Sequence, residues 1–121
     1  MNIIIAGMSC SGKSTFANEI ENSLHFEEDW YFKDKNDIPC FKNYYLFDSI
    51  NAFNVSEIKD DVSKLLSNGY VYVPNYDVVS NKRKNKNRII YDKSINVFEG
   101  LHMISILSYL SDSFSVFLDT D

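Results

Sequence analysis

Gly7-Met8-Ser9-Cys10-Ser11-Gly12-Lys13-Ser14, entered from Ile3-Ile4-Ile5-Ala6, is the stretch whose reading decides the fold. The apolar run before it reads as a strand buried on both faces, the habit of a parallel sheet. The segment after it, residues 13–22, has helix-forming composition and carries Phe16, Ala17 and Ile20 on one face. Strand, glycine-bearing loop and helix start, in that order, are the context in which G-x-x-x-x-G-K-[ST] works as a phosphate cradle. Gly7 and Gly12 allow close backbone approach, so amide N–H groups and the helix N-terminus are expected to face phosphate oxygens. Ser9, Ser11 and Thr15 are expected to add to the same cradle. Lys13 would reach the β- and γ-phosphates, and Ser14 would offer its hydroxyl to Mg²⁺. The sequence therefore predicts a nucleoside triphosphate ligand, ATP with Mg²⁺.

With 121 residues, the chain is expected to form one domain over residues 1–121 around a single core. Apolar residues at 45% and aromatics at 15% exclude a disordered chain. Nine Phe and eight Tyr suit a core, and equally a pocket that stacks a flat ligand. A net charge of −5 argues against general nucleic-acid binding. Lys82, Arg83, Lys84, Lys86 and Arg88 hold five of the twelve basic residues, and the rest of the chain sets seven against seventeen acids. So short a basic run is expected to be a solvated turn. Cys10 and Cys40 have no metal-ligand spacing and make no disulfide framework, and Cys10 lies inside the phosphate loop; a reducing cytoplasm is the expected compartment. No basic-then-apolar leader precedes residue 3 and no apolar stretch reaches spanning length, so no membrane partner is expected.

Beyond the loop, strand-like and helix-like segments alternate, which predicts an α/β domain. Leu24-His25-Phe26 reads as a short strand running into Glu27-Glu28-Asp29. Residues 30–53 lack periodicity and read as a long functional loop with short helical turns. From Ser56 to Ser67, the apolar positions Ile58, Val62, Leu65 and Leu66 follow helical spacing. Asn54 or Ser56 would cap that helix and Gly69 would stop it. Tyr70–Val73 reads as a strand ending at Pro74, and residues 76–91 as an inserted β-hairpin around the basic stretch. Ile95–Phe98 is a core strand ending in Glu99-Gly100, Ser105–Leu110 a helix, and Phe114–Leu118 the last strand.

A phosphate loop alone does not choose a reaction; acids at the ends of neighbouring strands do, because open α/β sheets bind ligands there. Phosphoryl transfer needs one carboxylate to take the acceptor's proton and another near the metal. Asp29 and Glu99, each following an apolar strand, could fill those two positions. No guanine-reading Asn-Lys-x-Asp pattern follows the loop, which argues against a GTPase switch.

At these residues the chain resembles the uridine kinase family of P-loop nucleoside kinases. Asp29-Trp30-Tyr31-Phe32-Lys33 is similar to the family's Asp-x-Phe-Tyr-Lys element. Phe47-Asp48-Ser49-Ile50-Asn51-Ala52-Phe53-Asn54 is similar to its Phe-Asp-x-Pro-x-Ala-Phe-Asp element. Pro74-Asn75-Tyr76-Asp77, with Ser80 and Arg83 at matching offsets, resembles its hairpin entry. Phe98-Glu99-Gly100 and Phe117-Leu118-Asp119-Thr120-Asp121 complete the order. The resemblance implies a P-loop NTPase fold of the nucleoside or NMP kinase kind, a parallel sheet flanked by helices with the hairpin inserted. It implies ATP-dependent phosphorylation of the 5′-hydroxyl of a uridine- or cytidine-like nucleoside. Asp29 would be the general base and Lys13 the catalytic cation. Ser14 and Glu99 would hold Mg²⁺, and Asp48 the ribose hydroxyls. Phe47, Tyr31 and Tyr76 would contact the base.

The chain departs from the pattern at several points. The aromatic pair is inverted as Tyr31-Phe32, Ile50 replaces Pro, and Asn54 replaces the closing Asp. Asn81 stands where many uridine kinases place a base-reading His, and its amide both donates and accepts. Lys33–Pro39 also resembles the nicotinamide riboside kinases, so that acceptor is an alternative. Family members continue into an arginine-rich lid helix and a final strand beyond Asp-Thr-Asp. The sequence thus reads as C-terminally truncated, and a fragment or a non-catalytic nucleotide-binding remnant is a further alternative. The strand edge at Phe114–Leu118 would then favour self-association.

Overall fold

The computed structural model describes residues 1–7, 22–77, 79–80 and 82–118. Along the chain the elements are β1 (Asn2–Gly7), β2 (Ser23–Glu27), β3 (Cys40–Phe41), β4 (Tyr44–Tyr45), α1 (Val55–Asn68), β5 (Tyr70–Asp77) and β6 (Lys82–Tyr91). They continue as β7 (Ile95–Glu99), α2 (Met103–Ile106) and β8 (Ser113–Leu118), with 3₁₀ turns at Glu28–Tyr31, Lys35–Asp37 and Ile50–Ala52. Contacts divide the chain into two compact units, Met1–Glu28 with Tyr91–Asp121, and Asp29–Ile90.

The first unit holds a four-stranded sheet in the order β2-β7-β1-β8. All its pairings are parallel, with Ile5 opposite both Glu99 and Val116, and Glu27 opposite Glu99. Ile4, Ile5 and Ala6 in β1, and Val97 and Phe98 in β7, are all buried. The unbroken apolar runs in the sequence follow from this: a strand inside a parallel sheet buries both its faces. Phe26 of β2 packs on Phe98 of β7, ring centroids 5.4 Å apart. The helix expected over 105–110 is instead α2, one turn at Met103–Ile106, followed by a turn whose Leu110 N–H reaches Leu107 O at 3.1 Å. Met103, Ile106 and Leu107 are buried, so this short element is held by packing more than by propensity. β8 is an outer strand of this sheet, and Phe114 and Phe117 on it are exposed.

The second unit is built around α1. Its buried positions, Ile58, Asp61, Val62 and Leu65, repeat at helical spacing, with one acid in the apolar stripe. Asn54 stands at the N-cap, its carbonyl accepting from Ile58 N–H at 3.1 Å. Gly69, at φ 85°, ends the helix in the left-handed conformation and donates to Leu65 O at 2.9 Å. The long segment before α1 is ordered by short local elements, as its sequence suggested. β3 and β4 form a miniature hairpin whose two loop residues, Lys42 and Asn43, both have positive φ.

The strand expected to stop at Pro74 runs on to Asp77, and the basic stretch is itself strand β6 rather than a solvated turn. Pro74 lacks an N–H to donate, but a two-stranded sheet leaves each strand one unpaired edge where proline is tolerated. Lysine and asparagine are poor strand formers. β6 is held extended by its pairing with β5 and by the acids on α1 that Arg83 and Lys86 meet.

Candidate active site

In the first unit, β1 delivers Gly7, buried, to the mouth of the phosphate loop. Ser9, Ser11, Gly12, Lys13, Ser14 and Thr15 lie outside the described residues, as does Asn81. Next to β1, with Glu99 opposite Ile5, β7 ends in that glutamate, which is 7% exposed. The next residue, Gly100, donates its N–H to Ile5 O at 3.0 Å and so ties the end of β7 to β1. A carboxylate there has the hard-oxygen chemistry that Mg²⁺ takes, and Mg²⁺ is commonly held by one or two carboxylates together with substrate phosphates. No cluster of three or more metal-binding side chains occurs among the described residues.

In the second unit, two separate sequence segments meet. Lys33 N–H donates to Ala52 O at 2.8 Å, and Asn54 N–H to Tyr31 O at 2.9 Å. Phe32 and Phe53 face each other as an antiparallel bridge. The segments 29–33 and 47–54 are thereby clamped together, twenty residues apart in the chain. Phe32 stacks on Phe53 at 4.3 Å and meets Phe47 at 5.8 Å and Tyr76 of β5 at 5.2 Å. Phe53, Ala52 and Ile38 form a buried floor, whereas Phe32, Phe47 and Tyr76 keep part of their rings open. This is an aromatic platform of the kind on which a flat ligand stacks. Burial, with the nearby charges of Asp34 and Asp77, raises the pKa of the Tyr76 phenol, which therefore stays a neutral donor at physiological pH.

The expected residues divide on this point. Phe47 and Tyr76 stand on the platform. Tyr31 does not: it is fully buried and donates its hydroxyl to Asp61 at 2.8 Å. Phe32 occupies the open place instead. The exchange follows from local structure: Tyr31 closes the 3₁₀ turn and its ring is turned in to Asp61, whereas Phe32, the next residue, enters the bridge to Phe53. The inverted Tyr31-Phe32 order thus puts a bare ring on the platform and sends the hydroxyl into the core. Asp29, in the 3₁₀ turn, is exposed. Asp48 is exposed as well. It is not the buried carboxylate that its expected ribose contact suggested.

The buried Asp61 is the centre of a charged network that sequence reading missed. Lys86 Nζ lies 2.7 Å from Asp61 Oδ1 and 3.2 Å from Glu57 Oε2. Arg83 Nη2 donates to Glu57 Oε2 at 2.6 Å, and its backbone N–H donates to Asp34 Oδ1 at 2.7 Å. Glu57 and Asp61 are one helical turn apart on α1, which lets β6 lay Arg83 and Lys86 across them. Further along β6, the Arg88 guanidinium lies 4.1 Å from the Trp30 ring centroid. The available signal was the i, i+4 acid pair with Asp61 inside an otherwise apolar stripe. Beside this network an open polar cleft of about 550 Å³ is lined by Lys33, Asp34, Asp37, Asn54 and Arg83.

No helix among the described residues is long and apolar enough to cross a membrane. Cys40 is an exposed free thiol.

A uridine kinase from Lactobacillus helveticus is 28% identical over 127 residues, covering 97% of this chain and 60% of the relative. One from Mycoplasma genitalium is 31% identical over 107 residues, covering 82% of this chain and 50% of the relative. The chain therefore spans about half to three fifths of the length of these curated relatives. The solved structure described as a possible uridine kinase from Bacillus stearothermophilus superposes with a TM-score of 0.82 at 20% identity, over 100% of this chain and 71% of that one, and shows the shared fold. A family model described as phosphoribulokinase / uridine kinase matches residues 2–121, and the chain belongs to that family.

Proposed function

We propose that this chain carries the phosphate-binding and acceptor-binding parts of an ATP-dependent nucleoside kinase acting on a uridine- or cytidine-like 5′-hydroxyl. The observation that carries the reading is the platform of Phe32, Phe47 and Tyr76, assembled from three separate segments of a chain in this family. Bound ATP with Mg²⁺ would supply the phosphoryl group and spread its charge. Gly7, Ser9, Ser11, Gly12, Lys13, Ser14 and Thr15 cradle its phosphates, with Ser14 and Glu99 as the metal-side ligands. The platform stacks the base, the Asn81 amide reads it, and Asp48 takes the ribose hydroxyls. Asp29 accepts the proton of the 5′-hydroxyl as that oxygen bonds to the γ-phosphorus. The bond from that phosphorus to the β–γ bridging oxygen breaks, and ADP departs.

An aromatic platform accepts any flat ring, so nicotinamide riboside is the second acceptor to try. The test is ATP consumption over a panel of uridine, cytidine, deoxyuridine and nicotinamide riboside, with the Asp29→Asn variant as control. Turnover that depends on a pyrimidine ribonucleoside and on Asp29 supports the reading. Nucleotide binding with no acceptor-dependent turnover would instead support a non-catalytic nucleotide-binding protein.

A further inference from the structure

Glu28 is fully buried at the end of β2, although it is charged and lies outside the roles assigned above. Its carboxylate is captured at both oxygens by one residue far away in sequence. Oε1 accepts the backbone N–H of His102 at 2.8 Å, and Oε2 lies 2.9 Å from His102 Nδ1. An ionised carboxylate only accepts, so Nδ1 must carry the proton in this pair. A third partner closes the cage: a Cβ built on Gly100 would collide with Glu28 Cβ and Oε1, so only glycine fits there. The last ladder pair of β2 and β7 is Glu27 opposite Glu99. The Glu28–His102 contact continues that join one residue past the sheet, where no ladder hydrogen bond can.

Position gives this contact its significance. Glu28 is followed directly by Asp29, and Gly100 is preceded directly by Glu99. The join therefore fixes the backbone next to both carboxylates to which the proposed phosphoryl transfer assigns chemistry. A buried, hydrogen-bonded carboxylate is an expensive way to hold two strands, since apolar residues of similar volume often do so as well or better. It does, however, fix one geometry, with two directed hydrogen bonds where apolar packing would allow sliding.

We propose that Glu28 and His102 are positioning residues, a latch that sets the placement of Asp29 and Glu99. The inference rests on the kinase reading above. Outer partners of this kind typically change activity or metal affinity by about 10–100-fold when removed.

The test compares wild type, His102→Leu and His102→Asn, the last retaining an amide donor close to the position of Nδ1. The measurements are thermal melting, ADP affinity with and without Mg²⁺, and kcat and KM with the best acceptor. The expected result is that His102→Leu melts lower than wild type, because Glu28 Oε2 loses its partner, but remains folded at the assay temperature and binds Mg²⁺-free ADP equally well. Its kcat should fall by about 10–100-fold, KM for the nucleoside should stay nearly constant, and His102→Asn should regain most of the loss. Wild-type kcat in His102→Leu would overturn the proposal. So would equal loss in both variants tracking a lowered melting temperature, the mark of a purely structural pair. If wild type phosphorylates no acceptor, the kinase reading fails on its own. The latch is then judged by the Mg²⁺ enhancement of ADP affinity, and an unchanged enhancement in His102→Leu refutes it.

Discussion

Replacing Tyr31 by Phe removes one oxygen and leaves the ring in place, and it reports directly on how the aromatic pair is divided. The Tyr31 hydroxyl donates at 2.8 Å to a carboxylate that is itself 0% exposed. Asp61 keeps Lys86 at 2.7 Å, so the charge is not left bare. The loss is one hydrogen bond to a charged buried acceptor, about 1.5–3 kcal/mol. At an unfolding entropy of ~2.1 cal/mol/K per residue, a chain of this length would melt about 6–12 °C lower. Trp30, the single tryptophan, adjoins Tyr31 and is buried beneath Arg88, so its fluorescence can follow urea or thermal unfolding of this unit.

The pH dependence carries a second signature of the same contact. Burial first, and then the charge of Asp61, hold the Tyr31 phenol far above the ordinary tyrosine value. A raised pKa means the folded state keeps a proton that the unfolded chain releases. The stabilisation is therefore complete below about pH 10, the ordinary tyrosine value, and is lost as pH rises above it. Tyr31→Phe should lack that alkaline decline. In an Asp61→Leu background, the Tyr31→Phe cost should shrink towards zero, because the partner is gone. A Tyr31→Phe variant within about 0.5 kcal/mol of wild type, the usual scatter of surface substitutions, would refute the assignment of Tyr31 to the core. A cost undiminished in the Asp61→Leu background would refute it equally.

Asp29→Asn should leave ATP affinity near wild type and cut acceptor-dependent transfer by about a hundredfold or more, measured by single-turnover kinetics. Phe32→Ala should raise the nucleoside KM about tenfold or more while the ATP KM holds, since base–aromatic stacking is worth about 1–3 kcal/mol per base; equal KM values would remove the platform. Deoxyuridine should have a much lower kcat/KM than uridine if Asp48 takes the ribose hydroxyls, and comparable values would reassign Asp48.

Local signals were legible where the chain's own periodicity carries the information. The apolar run of β1 and the spacing of Ile58, Val62 and Leu65 in α1 name their elements because burial repeats with the strand or helix period. Gly69 as a helix stop needs only a positive φ that glycine supplies without strain. The ordered series of motifs, from the phosphate loop to Glu99, was enough to point to the family. None of this required knowing which residues meet across the chain.

Tertiary packing decided the rest. Lys82–Arg88 has a turn-like composition, yet it is strand because it pairs with β5 while Glu57 and Asp61 on α1 take up Arg83 and Lys86. Whether Tyr31 or Phe32 joins the aromatic platform depends on their clamp to residues 52–54, which composition at 31 and 32 does not encode. Glu28 looks like one more surface acid among three; its burial follows from His102, 74 residues on, and from the missing side chain of Gly100. Periodicity is a property of neighbours along the chain, whereas the pairing of a buried charge is fixed only when distant segments come together and exclude water.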